Sequence, residues 1–183
     1  IIAEIAMAQV LKYPSVVFHN ALAVSGKKIG EGFLITTQTG EEFKAKKIIF
    51  ATGIEDSMPE INGFRASWGV SVIHCPYCHG YEFRNQQTGI MANGERAFHL
   101  ASLVNNLTGQ LTVFTMGKAD FNEEQFTKLK KHNIKINETP ISEIEHEKGY
   151  IKNIILSDGS RLPLNALYAA LPFKQQSNIP ASL

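Results

Sequence analysis

The chain has 183 residues, of which 44% are hydrophobic, and its formal net charge is +1. This length fits one large domain or parts of two. The near-neutral charge gives no reason to expect binding to nucleic acid or to an anionic membrane, and no apolar run approaches the length of a membrane span. The first residue, Ile1, falls within a helical pattern, so we expect the chain to be an internal piece of a longer protein.

The first half of the sequence predicts one helix followed by short strands. Apolar residues recur at helical spacing over residues 1–11, and Pro14 ends the run. Apolar runs predict strands at 16–18, 22–24, 33–37, around Phe43 and at 48–51, with turns at 26–32 and 39–41. We expect a three-stranded meander that returns to a fully buried strand at 48–51. Turn-forming residues over 54–68 predict a linker, centred on 58–65.

The second half alternates predicted strands and helices. Strands are predicted at 70–73, 89–92, 111–115 and 134–136, with a helix at 95–107. A second helix begins at Asn122, which can form a capping box with Gln125, and we expect Phe126 and Leu129 to face inward. Further strands are predicted at 141–144, 150–156, 162–164 and 166–171.

One spacing of residues occurs twice along the chain. Gly40, Phe43, Ala45, Ile48 and Phe50 are spaced like Gly159, Leu162, Leu164, Leu167 and Ala169. This repeat predicts that a meander followed by a buried strand occurs twice in the chain. Such a duplication is typical of two nucleotide-binding units in tandem. The predicted fold class is therefore α/β, with a Rossmann-like three-layer nucleotide-binding domain that contains a β-meander, plus part of a second, similar domain.

Both cysteines of the chain lie in the motif Cys75-Pro76-Tyr77-Cys78, followed by His79. Two thiols at this spacing can form a disulfide, and a helix N-terminus at either cysteine would lower its pKa. A redox pair is thus favoured over three alternatives, namely zinc ligands, inert buried cysteines and a glutaredoxin active site. No metal site is predicted. Two cysteines at this spacing also favour a reducing, cytoplasmic location.

A weak dinucleotide-binding fingerprint follows the predicted strand at 89–92. It runs from Ala92 to Ala97 and matches the pattern with alanine in place of the first glycine. Gly94 would let a pyrophosphate approach the helix N-terminus, Ala97 would allow close helix packing, and Asn93 and Glu95 lie beside them. Ala51, Thr52 and Gly53, after the predicted strand at 48–51, form a second candidate cofactor contact.

Taken together, the Ala51-Thr52-Gly53 segment, the Cys75/Cys78 pair and the Ala92–Ala97 fingerprint resemble the low-molecular-weight thioredoxin reductase family of pyridine nucleotide-disulfide oxidoreductases. The resemblance implies a partial FAD-binding domain at 1–57, a linker at 58–65, an NAD(P)-binding-like domain carrying the cysteines at 66–172, and a return toward the FAD domain at 173–183. It also implies FAD and NADPH as cofactors, a thioredoxin-like protein or a small dithiol as partner, and a homodimer at full length.

The family resemblance further assigns roles to the site residues. Cys78 would exchange electrons with the flavin, Cys75 would react with the substrate thiol, and His79 would carry the proton between them. The segment Cys78-His79-Gly80-Tyr81-Glu82 resembles more closely the branch of dithiol oxidases that use oxygen, and the fingerprint lacks phosphate-binding arginines, so NADPH is an uncertain donor. Three functions stay open at this point: a reductase, a dithiol oxidase, and a non-catalytic module without FAD. The isolated chain is expected to be colourless and inactive as a reductase.

Overall fold

The structure is a computed structural model that describes residues 2–183 in two units. The first unit contains the described residues up to Glu55 together with Gln175–Leu183, and the second contains Asp56–Lys174. The chain passes twice between them, in strands β4 (Ile54–Asp56) and β13 (Phe173–Gln175), which pair with each other. No helix within residues 2–183 is both long enough and apolar enough to cross a bilayer.

The first unit contains the helix α1 (Ile2–Val10), an antiparallel meander and the short helix α6 (Ile179–Ser182). The meander strands are β1 (Ala23–Ile29), β2 (Gly32–Thr37) and β3 (Glu42–Ala45), in the order β1-β2-β3. The predicted turn at 26–32 is shorter than expected, because β1 continues through Gly26 to Ile29 and turns only at Gly30, where φ is +53°. Gly26 lies against α6, since a Cβ there would come within 2.7 Å of the Ile179 side chain.

Two predicted buried strands of the first unit are absent. Residues 16–18 and 48–51 form no strand, and their side chains lie open to solvent, with Val17 73% and Ile49 93% exposed. A buried strand needs neighbours that satisfy its backbone N–H and C=O groups. Nothing between residues 2 and 183 pairs with either segment, so an apolar run alone does not produce a strand there.

The second unit is built on a parallel five-stranded sheet in the order β5-β12-β6-β7-β8. Its strands are β5 (Val72–Ile73), β6 (Thr88–Met91), β7 (Leu111–Phe114), β8 (Lys135–Asn137) and β12 (Ala166–Ala169). The helices are α2 (Phe64–Ser67), α3 (Pro76–His79), α4 (Gly94–Val104) and α5 (Glu123–Lys131). A second antiparallel meander of β9 (Ile141–Glu147), β10 (Tyr150–Leu156) and β11 (Arg161–Pro163) precedes β12.

Successive side chains of a strand point to opposite faces of the sheet, so an apolar core forms on each face and the unit has three layers. On β12, Leu167 and Ala169 pack against the meander, whereas Tyr168 packs with the helices α4 and α5. On β7, Phe114 joins the meander core and Val113 joins the helix core. The predicted Rossmann-like three-layer fold with a β-meander is confirmed in this unit.

The predicted start of α5 is confirmed in atomic detail. The Asn122 side chain accepts a hydrogen bond from the Gln125 amide at 2.9 Å, and the Gln125 side chain accepts one from the Asn122 amide at 3.0 Å. Leu129 is buried as expected. Phe126 is not, because it is 41% exposed and its ring contacts Phe121 edge-on.

Residues 58–65 do not form a free linker, since they lie within the second unit. Phe64 is fully buried in the meander-side core, and Met58 and Ile61 pack against that core. A Cβ on Gly63, which has φ of +77°, would overlap the Ile144 carbonyl oxygen, so the turn residue here serves close packing. The predicted repeat is present as the two meanders, but only the second returns to a buried strand, β12.

Candidate redox site

The cysteine pair lies at the short helix α3, directly after β5. Cys75 is the N-cap of α3, with extended backbone angles, and Pro76 occupies the first helical position, where proline is well tolerated because no hydrogen bond is lost. The amides of Cys78 and His79 both donate to the Cys75 carbonyl, at 3.2 and 3.3 Å. This turn brings the two thiols to the same side of the helix.

The two sulfur atoms lie in hydrogen-bonding contact. Cys78 Sγ donates to Cys75 Sγ at 2.9 Å, and both cysteines are free thiols. A disulfide bond has an S–S length of about 2.05 Å. The sulfurs therefore need to approach by less than about 1 Å to form the bond, so the pair can pass between dithiol and disulfide with little movement of α3.

The hydrogen bond makes the two thiols chemically different. The Cys78 S–H group is the main cause that lowers the pKa of Cys75; the backbone amides of Cys78 and Tyr77 add to it, and partial burial opposes it. Donating to Cys75 raises the pKa of Cys78 in turn. Because the thiolate is the nucleophile in thiol–disulfide exchange, the lowered pKa of Cys75 gives that sulfur the property that an attacking thiol needs.

The surface around the pair is open and aromatic. Cys78 and His79 are exposed, Tyr77 between the cysteines is 82% exposed and Tyr81 is 68% exposed. The Arg84 guanidinium lies 3.9 Å from the centre of the Tyr81 ring. A thiol or disulfide substrate can thus reach the sulfurs without any opening of the second unit.

One residue that the sequence did not single out, Tyr168, lies beneath α3. Tyr168 on β12 is almost fully buried, and its hydroxyl lies 3.1 Å from the position of a Cβ on Gly80, the residue that ends α3. Burial, and then the nearby charges of Cys75 and Glu82, raise the pKa of Tyr168 to about 12. The only signal in the sequence was a tyrosine within an otherwise apolar strand.

The fingerprint residues Asn93, Gly94, Glu95 and Ala97 come together where β6 leads into α4. Asn93 caps α4, Gly94 has φ of +58°, and Ala97 is fully buried against the sheet, as its predicted packing role requires. Glu95 instead accepts a hydrogen bond from the Gln125 side chain at 2.6 Å. These residues form a Rossmann-type turn, at the carboxyl ends of the parallel strands.

The other predicted cofactor contact, Ala51-Thr52-Gly53, lies in the first unit in exposed backbone that is neither helix nor strand. Gly53 has φ of +74°, and a Cβ there would meet no atom within 4 Å. The described residues around this segment do not form a cradle for a flavin. Metal binding has no support in the described range 2–183, where no cluster of three or more His, Cys, Asp or Glu could hold an ion.

Comparison with known proteins gives a consistent picture. No family model matches the chain. It is 29% identical over 165 residues to thioredoxin reductase sirT from Leptosphaeria maculans, covering 81% of this chain and 50% of the relative. It is 30% identical over 135 residues to thioredoxin reductase aclD from Aspergillus oryzae, covering 70% of this chain and 43% of the relative. The chain thus spans about half the length of the curated relatives it matches.

Among solved structures, an oxidoreductase from Agrobacterium tumefaciens superposes with a TM-score of 0.77 at 29% identity, over 94% of this chain and 57% of that one. The fold and the site define a Rossmann-like protein with an exposed, polarised dithiol. The family resemblance predicted from the sequence motifs is confirmed, since the curated relatives that the chain matches over most of its length are named thioredoxin reductases.

Proposed function

We propose that the Cys75–Cys78 pair performs thiol–disulfide exchange with a thioredoxin-like protein or a small dithiol, as part of an FAD-dependent oxidoreductase. The observation that carries the proposal is the 2.9 Å hydrogen bond from Cys78 to Cys75 at an exposed helix N-terminus. It supplies both a thiolate that can attack and a second thiol close enough to resolve the mixed disulfide.

In the reducing direction, the Cys75 thiolate attacks one sulfur of a substrate disulfide. The substrate S–S bond breaks, a mixed disulfide forms at Cys75, and the released substrate sulfur takes up a proton. Cys78 then loses its proton and attacks Cys75 Sγ, which releases the second substrate sulfur as a thiol. The substrate gains two electrons and two protons, and the protein is left with a Cys75–Cys78 disulfide. Oxidation of a dithiol is the same sequence in reverse.

His79 is proposed as the proton carrier in these steps. It is exposed and follows Cys78 directly at the end of α3, so its imidazole is available to solvent and to a bound substrate. An imidazole has one nitrogen that can accept a proton and one that can donate it, which suits a group that serves both sulfurs in turn. FAD would supply the two-electron chemistry that resets the pair in the whole protein, which we propose to be a homodimer.

Oxidation of a small dithiol, with oxygen as the final acceptor, is the second candidate. It is favoured by the β6–α4 turn, where Asn93 and Glu95 use their polar groups within the protein. In this direction the substrate dithiol reduces the Cys75–Cys78 disulfide, and no nucleotide is needed to load the pair with electrons.

Trapping of the mixed disulfide tests the proposal. With Cys78→Ser, reaction with an aromatic disulfide should leave one substrate thiol on Cys75, detected by mass spectrometry of the peptide. The matched variant Cys75→Ser should form its adduct more slowly, because the backbone amides of Cys78 and Tyr77 lower the pKa of Cys75, whereas no backbone amide lowers that of Cys78. Equal rates in the two variants would remove the assigned roles, and unreactive thiols in both would indicate a non-catalytic module.

His79→Ala is the companion variant for proton transfer. It should slow exchange while the circular dichroism spectrum stays unchanged, since the side chain is exposed. Unchanged exchange in the folded variant would remove His79 from the mechanism.

A further inference from the structure

Asn93 ties together the two loops at the carboxyl ends of β6 and β7. Its Oδ1 accepts hydrogen bonds from the amides of Gly94, at 2.8 Å, and Asp120, at 2.9 Å. Its Nδ2 donates to the Lys118 carbonyl at 2.8 Å. We call this set of three hydrogen bonds the Asn93 latch. Two of its three bonds reach the loop that follows β7, and the third caps α4.

The latch uses the groups that a dinucleotide would need. In a Rossmann-type site the pyrophosphate accepts hydrogen bonds from backbone amides at the N-terminus of the first helix. Here the Gly94 amide at the start of α4 already donates to Asn93, and so does the Asp120 amide across the crevice. A bound pyrophosphate would have to displace a side chain that is held at both ends.

The charges at this position also oppose an anion. A Cβ on Gly94 would lie 3.5 Å from both the backbone oxygen and the Oδ2 of Asp120, which places that carboxylate beside the helix N-terminus. Glu95 follows in the first turn, and Glu138 accepts from the Ala119 amide in the same loop at 2.7 Å. Carboxylates are favourable at a helix N-terminus, so they take the place that a phosphate would have.

The described residues that line the crevice beside the Asn93 latch carry no positive charge that would offset these carboxylates. Its volume is about 440 Å³, and none of the described residues that line it is charged. At the end of β7, where a ribose would be recognised, the Thr115 hydroxyl donates to the Gly117 carbonyl at 2.6 Å. The next residue, Met116, packs toward the meander, and its sulfur accepts from the Ile141 amide. None of the described residues that line this crevice is therefore a cation that could pair with a 2′-phosphate.

We infer that this Rossmann-like domain does not take up a pyridine dinucleotide, because Asn93 and Asp120 occupy the position of its pyrophosphate. The family resemblance implied NADPH, and the donor set at the end of β6 does not fit it. Reducing equivalents then reach Cys75 and Cys78 as thiols. The inference concerns a binding site 15 or more positions along the chain from the cysteines, and it does not depend on the identity of the thiol substrate.

Calorimetric titration of the 183-residue chain with NADPH tests the inference. The unaltered chain should show no saturable binding up to about 1 mM, the weak limit of ordinary recognition. The double variant Asn93→Gly with Asp120→Asn opens the latch and removes the adjacent charge. Glycine is itself an accepted N-cap residue, so we expect this variant to fold. It should bind NADPH saturably with a Kd of about 0.1 mM or lower, at least about tenfold tighter than the 1 mM limit set for the unaltered chain.

The matched control is Asn122→Gly with Asp158→Asn. Asn122 is also an asparagine N-cap, and Asp158 is an exposed aspartate in a turn, but neither lies at the crevice. The control should bind no better than the unaltered chain. Micromolar binding by the unaltered chain would overturn the inference. An absence of gain in the folded double variant, or an equal gain in the control, would overturn the latch as the cause.

Discussion

Replacing Gly80 by alanine should destabilise the second unit and disturb the cysteine pair together. Gly80 ends α3 in an ordinary helical conformation, so alanine meets no backbone strain there. Its added Cβ would instead overlap the Pro76 carbonyl oxygen and Leu107 Cδ1 and would lie 3.1 Å from the Tyr168 hydroxyl. The leucine tip can rotate away, but the carbonyl belongs to the backbone of α3 and moves only with the helix.

The expected loss in the free energy of unfolding follows from this overlap. Forcing a methyl group into a packed site typically costs about 1–3 kcal/mol. For a unit of this size, each kcal/mol lowers the melting temperature by roughly 2–8 °C. Since α3 carries both sulfurs, its displacement should also change the Cys75–Cys78 geometry and thus the equilibrium between dithiol and disulfide in a glutathione redox buffer. Calorimetry and thiol trapping measure the two effects on one sample.

Gly109→Ala is the matched control for this prediction. Gly109 lies in the same unit, but a Cβ there meets no atom within 4 Å, and it has no positive φ. Its replacement should leave both stability and redox equilibrium unchanged. The reasoning would be refuted if the two alanine variants melted at the same temperature, or if Gly80→Ala melted lower with an unchanged redox equilibrium.

Three further predictions concern the thiols, a helix cap and the buried tyrosine. Cys78→Ala removes the S–H donor that lowers the pKa of Cys75, so the pH midpoint for alkylation of Cys75 should rise. Cys75→Ala should lower the pH midpoint for alkylation of Cys78, and midpoints that do not move would show that the hydrogen bond has no effect on the two pKa values. Asn122→Ala removes the hydrogen bond that the Asn122 side chain accepts from the Gln125 amide, but keeps the backbone amide that donates to the Gln125 side chain, and it should cost about 1 kcal/mol in urea unfolding. Asn106→Ala is an exposed control, and equal costs would contradict the cap. The pKa of Tyr168 is raised from 10.0 to about 12, so its contribution to stability is complete below pH 10 and is lost as the pH rises toward 12. In Tyr168→Phe the free energy of unfolding should therefore fall less steeply between pH 10 and 12, and an unchanged slope would exclude Tyr168 as the cause of that fall.

Features set by neighbouring residues were predictable from the sequence. The Asn122/Gln125 capping box forms because the two partners are three positions apart and need nothing else. The same holds for Cys75 and Pro76, where a proline after the first cysteine favours a helix start and places the second cysteine one turn later. Strand β10 matches its predicted limits because its alternating apolar residues cover one face of the sheet beneath it.

Features that depend on partners distant in the chain were not predictable. The run at 48–51 is as apolar as the run that became β12, yet only β12 has a parallel strand on each side. Sequence periodicity reports which residues prefer burial, but the neighbours that satisfy a strand's backbone groups come from elsewhere in the fold. The segment 58–65 was misjudged for the same reason, since Phe64 is buried by Ile144 and Ile151, which lie about 80 positions later.

The sequence by itself determined that the two sulfurs meet, because a Cys-Pro-Tyr-Cys turn brings them together through local backbone geometry alone. Only the tertiary structure decided what lies beneath the pair, since Tyr168 belongs to β12 and its hydroxyl comes close to Gly80 only when the sheet has formed. It also decided the state of the nucleotide crevice. The fingerprint around Gly94 shows a turn that could accept a phosphate, but Asn93 and Asp120 are 27 positions apart and meet only when β6 and β7 pair.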